Sequence, residues 1–181
     1  KQYILFVAMR VNTPTKGFKY LKEALQIWQN ENPEAAKNTE LLLVGNILDP
    51  TEINALPLPS TALGHITDPA KMRLIYSAAD VFITPSLEEN LPNTIMEAMA
   101  CGTPCVGFQV GGIPEMIDHQ INGYVAEYLS ANDLAKGIQW TLSHAPGEAA
   151  RNKVLASYQE DIIAAKHIEL IQKYFPNASE A

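Results

Sequence analysis

A chain of 181 residues that is 47% apolar and 18% charged carries enough apolar material for one hydrophobic core, which excludes a disordered protein. Its formal net charge of −7 argues against a nucleic-acid partner, because no local basic face offsets it to neutralise phosphates. No apolar run approaches the roughly 20 residues of a membrane span, and the opening KQYILFVAMR turns polar too soon for a signal peptide.

In chain order, residues 3–8 read as a buried strand. The chain enters that strand with no initiator Met, as expected of a piece cut from a longer chain at a domain boundary, with residues 1–181 forming a single domain. Residues 18–29 follow as an amphipathic helix with Phe18, Leu21, Leu25 and Trp28 along one face. ELLLV at 40–44 is a second strand stopped by Gly45, and a loop rich in Pro and Leu covers 48–60. A short third strand is predicted at 62–66. Asp68 or Pro69 opens a helix through Ala78, with Met72, Ile75 and Tyr76 apolar. DVFIT at 80–84 is the fourth strand. A helix over 93–100 is ended by Gly102, and residues 103–108 form the fifth strand. A short helix follows Pro114, residues 123–126 make the sixth strand, and helices run from Ser130 to the end, the last over 157–175.

Continuous apolar strands separated by helices indicate an α/β fold: a Rossmann-like doubly wound parallel sheet of about six strands, covered on both faces. The two cysteines, Cys101 and Cys105 in CGTPC, read as small packing residues around a turn. No second pair and no His cluster completes a metal set, and their scarcity fits a reducing, cytoplasmic setting.

Ligands of such sheets sit at the carboxyl ends of the strands, which singles out the loops at 9–17, 64–68, 85–93 and 109–114. In the first, MRVNTPTKGF, Arg10 leaves the strand and Lys16-Gly17 precedes a helix start. Two cations beside free helix amides suit a diphosphate, although two solvated surface charges would look the same. In the third, Glu88, Glu89 and Asn90 precede a helix whose first amides, at Asn93, Thr94 and Ile95, would face an anion. Glu97 lies one turn into that helix among apolar neighbours, which implies partial burial. A buried carboxylate needs hydrogen-bond donors: sugar hydroxyls, a Lys or Arg partner, or the helix terminus itself. In the fourth, QVGGIPEMI, Gly111 and Gly112 permit close backbone approach and Pro114 suits a first helical turn.

Three segments together carry a resemblance: FVAMRVNTPTKGFKYLKEAL, IYSAADVFITPSLEENLPNTIMEAMACGTPCVGFQVGGIPEMI and INGYVAEYLSANDLAKGI. They resemble the C-terminal, donor-binding half of a retaining glycosyltransferase of family 4, a two-domain GT-B fold, with the family's E-x7-E signature at Glu89 and Glu97. The resemblance implies that Arg10 and Lys16 hold the diphosphate of a UDP- or GDP-linked sugar, with Gly17 letting the backbone close in. It implies that Glu97 accepts from ribose hydroxyls, Glu89 from the donor sugar, the amides of Asn93–Ile95 from phosphate, and His65 and Ile66 lie by the nucleobase. Between the two acids the family is Gly-rich, whereas this chain has Asn90-Leu91-Pro92-Asn93-Thr94; Asn90 is expected to take over a glycine's backbone angles.

The activity so implied is hexosyl transfer with retention, without metal or other cofactor, to a glycan or lipid-linked acceptor for polysaccharide synthesis. The acceptor would be held by an N-terminal domain absent from this chain, so the chain alone is expected to be inactive. Peripheral membrane association belongs to the full-length protein. Two alternatives stand beside this reading: a sugar-nucleotide epimerase on the same fold, and a nucleotide-binding module without chemistry.

Overall fold

The computed structural model of the chain describes residues 1–175. One sheet of six parallel strands runs in the order β3-β2-β1-β4-β5-β6: β1 (Gln2–Arg10), β2 (Thr39–Asn46), β3 (Ser60–Gly64), β4 (Val81–Thr84), β5 (Cys105–Phe108) and β6 (Gly123–Ala126). The order reverses between β1 and β4. Crossover connections diverge there to opposite sides, opening a crevice at the carboxyl end of the sheet.

The alternation of side chains along each strand divides the core in two. Ile4, Phe6, Val81, Ile83, Val106 and Phe108 pack under α1 (Phe18–Glu31) and α7 (Ala131–His144), against Leu21, Leu25, Trp28, Leu134 and Ile138. Leu5, Phe82 and Cys105 face the other way, into a core shared with α4 (Pro69–Ala78), α5 (Asn93–Ala100) and α8 (Gly147–Ser157) through Tyr76, Ile95, Met99 and Val154. β4 and β5 are buried at every position, which is why they read as continuous apolar runs.

Several elements depart from expectation. The 48–60 loop contains a helical turn, α3 (Pro50–Asn54), opened by Asp49, whose side chain accepts from the Thr51 N–H, with Pro50 at the first position. The third strand begins and ends earlier than 62–66, because Gly64 at φ +72° turns the chain out and delivers His65 and Ile66 into the following loop. A short α2 (Pro33–Lys37) follows α1, and α6 (Ile113–Met116) surrounds Pro114 rather than following it. The expected last helix is α9 (Glu160–Tyr174), which among the described residues has no fully buried side chain, Ile162 and Ile163 being partly buried. No helix among the described residues is long and apolar enough to cross a membrane.

Phe6 is 1% exposed at the centre of the α1 side of the core. Phe6→Ala should cost about 3–5 kcal/mol, whereas Leu74→Ala, at a position 66% exposed, should stay within about 0.5 kcal/mol; urea unfolding measures both.

Candidate functional site

The three loops after β1, β4 and β5 touch through their backbones. After β1 a single 3₁₀ turn over Pro14–Lys16 leads to Gly17 at φ +68°. A Cβ on Gly17 would stand 1.7 Å from the Pro85 carbonyl oxygen, so no other residue fits without moving one of the loops. Next to this contact the Leu87 N–H donates to Thr15 O at 2.8 Å. On the far side, a Cβ on Gly111, at φ +54°, would lie 1.9 Å from the Glu89 carbonyl oxygen, and the Gly112 N–H donates to Asn90 O at 2.5 Å. The Pro85–Asn90 segment is thereby held near both ends by glycine contacts.

That clamp brings Lys16 and Glu89 together. Lys16 Nζ lies 2.5 Å from Glu89 Oε1, with the two side chains 38% and 14% exposed. The pair is shielded more than a surface ion pair, and its Coulombic gain is offset in part by the desolvation of Glu89. Lys16 and Gly17 cannot offer their own amides, which donate to Thr13 O and Pro14 O. The unpartnered amides among the described residues at the start of α1 are those of Phe18 and Lys19.

A second cluster lies on the α4–α5 side of the crevice. A cavity of about 570 Å³ is lined by the ends of β1 and β2 (Ala8, Met9, Gly45), by the loop His65–Thr67, by Arg73 and Tyr76 of α4, and by Thr94, Glu97 and Cys101 at α5. The Tyr76 hydroxyl donates to Glu97 Oε2 at 3.0 Å. Burial, and then the charge of Glu97 beside it, pushes the Tyr76 phenol well above its ordinary value, so it remains a donor.

The expectation that Glu97 is partly buried does not hold: it is exposed to this cavity. Its apolar sequence neighbours Ile95, Ala98 and Met99, each 0% exposed, occupy the opposite face of α5, since adjacent helical residues point about 100° apart. Among the described residues Glu97 has no Lys or Arg partner. No side chain among the described residues caps α5. The Asn93 and Thr94 amides lack partners among the described residues, while the Ile95 N–H donates to Pro92 O at 3.0 Å.

Of the residues singled out in sequence, the fold thus brings His65, Ile66, Thr94 and Glu97 to one cavity, and Lys16, Gly17, Glu89, Asn90, Gly111 and Gly112 to the clamped loops. Arg10 is exposed and does not line the cavity, although Met9 beside it does. Asn90 does not take over a glycine's angles: the left-handed positions here belong to Gly17 and Gly111. Sequence reading missed Arg73, and it counted Tyr76 as a core residue only. Their i, i+3 spacing on α4 was the available signal, because it sets both on one face.

The sequence model of the family described as glycosyl transferases group 1 matches residues 1–144. Over 98 residues the chain is 34% identical to N-acetyl-alpha-D-glucosaminyl L-malate synthase of Bacillus anthracis, a match covering 51% of this chain and 26% of that one. Among solved structures it is similar to a variant of S. aureus TarM determined with fondaparinux, alpha-GlcNAc-glycerol and UDP, at a TM-score of 0.77 and 20% identity, over 93% of this chain and 35% of that one. It is also similar to the C-terminal domain of a group 1 family glycosyl transferase, LpcC, from Francisella tularensis, at a TM-score of 0.72 and 22% identity, over 87% of each chain. At these identities the two structures speak for the fold.

Cys101 lines the cavity, whereas Cys105 is 0% exposed and burial pushes its thiol up. Iodoacetamide should alkylate Cys101 at least roughly tenfold faster than Cys105 in the folded chain. Equal rates by peptide mass spectrometry would contradict the cavity's accessibility.

Proposed function

Because the chain belongs to the glycosyl transferases group 1 family, we propose that it is the donor-binding domain of a retaining hexosyltransferase that takes a UDP- or GDP-linked sugar. Its fold is one half of a GT-B glycosyltransferase. The observation that carries the proposal is the Lys16–Glu89 pair, whose Glu89 stands four residues before α5, together with the cavity lined by Thr94 and Glu97 of α5, whose Asn93 and Thr94 amides lack partners among the described residues.

In this reading the nucleoside occupies the cavity. Its base lies by His65 and Ile66, and the ribose hydroxyls donate to Glu97, an acceptor-only group. The diphosphate sits over the Asn93 and Thr94 amides, at the positive end of the helix. Lys16 leaves Glu89 for a phosphate oxygen, and Arg10 folds in from solvent as the second cation. Glu89, released from its partner, accepts from hydroxyls of the sugar beside the reacting carbon. As the glycosidic bond breaks, negative charge grows on the departing nucleoside diphosphate. The two recruited cations and the fixed helix amides stabilise it there, and such electrostatic stabilisation is usually the largest contribution to catalysis.

Retention, independence of metal and a cytoplasmic site of action belong to the same proposal. So does an acceptor, a glycan or a lipid-linked sugar, delivered by another domain to make a polysaccharide. UDP in the TarM structure supports a nucleotide-sugar donor. The isolated chain is expected to bind nucleotide and transfer nothing, and release of nucleoside diphosphate with sugar attached to an added acceptor would contradict that.

Calorimetry with UDP and uridine tests the phosphate contact. Lys16→Ala should weaken UDP about 10- to 100-fold, the worth of a charge-assisted hydrogen bond, and leave uridine nearly unchanged. Glu89→Gln should tighten UDP, because it removes both the competitor for Lys16 and a like charge beside the diphosphate. Weaker UDP binding in Glu89→Gln would contradict the exchange.

A further inference from the structure

We infer that Tyr76 is a positioning residue that sets the geometry of Glu97 for a vicinal diol. The inference rests on the reading that ribose hydroxyls meet Glu97, and it adds a residue that this reading did not contain.

Glu97 is a side chain with three rotatable bonds, exposed to a cavity and without a cationic partner among the described residues. Left alone it would sample many rotamers, and ordering it on binding would weaken affinity. One contact removes that freedom: the Tyr76 hydroxyl donates to Oε2 at 3.0 Å. Tyr76 cannot follow Glu97 if it moves. The residue is 2% exposed, and its ring meets Phe82 edge-on at 5.9 Å and 83°. Its carbonyl accepts from Thr103 Oγ1 at 2.5 Å and from the Ala79 N–H at 3.0 Å. The anchor is therefore fixed at ring and backbone, with its hydroxyl held against Glu97.

The geometry also leaves the right capacity free. An ionised carboxylate has about four lone-pair sites on two oxygens. Tyr76 uses one, on Oε2, and Oε1 has no hydrogen-bond partner among the described residues. Two adjacent hydroxyls can then donate to the two oxygens side by side. A phenol suits the anchoring role better than a cation would, since it holds the carboxylate without neutralising it. Burial and the neighbouring charge keep it protonated through the physiological range.

The test pairs two ligands with two substitutions, measured by calorimetry on the folded chain. UDP carries the diol and 2′,3′-dideoxy-UDP lacks it. Tyr76→Phe keeps the ring in the core and should weaken UDP about fivefold while leaving the dideoxy ligand unchanged. In a Glu97→Gln background, adding Tyr76→Phe should make little further difference to UDP. An equal loss for both ligands would mean that Tyr76 only supports the fold, and would overturn the inference. Undiminished UDP binding by Tyr76→Phe, in a chain that still prefers UDP over its dideoxy form, would overturn it while sparing the ribose reading. If the unsubstituted chain binds both ligands equally, the ribose reading falls and this inference with it.

Discussion

Backbone contact among three strand-end loops is the constraint from which the rest of the site follows. Gly17 lies against the carbonyl of Pro85, and Gly111 against the carbonyl of Glu89, at spacings that leave no room for a Cβ. Each glycine holds one loop on another. The Pro85–Asn90 segment is fixed near both ends, and a carboxylate that is only 14% exposed is set against a lysine 73 positions away in sequence. A flexible loop would let the two groups part into solvent. Here they are held in place by contacts that involve no charge at all.

Such a pair is a preorganised competitor. Taking Lys16 from Glu89 uncovers a desolvated carboxylate, which is costly unless new donors arrive with the ligand. In the proposed reading a nucleotide-sugar would bring sugar hydroxyls to the acid and phosphate oxygens to the lysine together. On the proposed reading, this arrangement favours the intact donor over the nucleoside diphosphate left after transfer. It gives the two acids of the signature different tasks despite their shared chemistry: Glu89 is paired and shielded, Glu97 open and held by a neutral phenol.

The sheet and the order of its elements were legible because a parallel sheet covered on both faces leaves continuous apolar runs, and the helices between them carry their own periodicity. Local chemistry that competes with that pattern was harder to see. The turn of helix at Pro50–Asn54 lay under a run of Pro and Leu, and the signal for it was the single cap at Asp49. Glu97 shows the limit of reading by neighbours: Ile95, Met96, Ala98 and Met99 flank it in sequence, but α5 sends Ile95, Ala98 and Met99 into the core and Glu97 to the cavity. Gly111 and Gly112 were correctly marked for close approach, yet what they approach is the Glu89–Asn90 backbone. Pairings such as Lys16 with Glu89 and Tyr76 with Glu97 depend on loop closure and helix crossing, which no local pattern encodes.

The central claim is that Lys16 changes partners when the donor arrives, and a structure of this chain with an intact UDP-linked sugar bound tests it most directly. The account requires a phosphate oxygen within hydrogen-bond distance of Lys16 Nζ, uridine in the cavity beside Glu97, and Glu89 released from the lysine. The UDP-linked sugar seated in that cavity with Lys16 still against Glu89, or bound elsewhere on the chain, would contradict it.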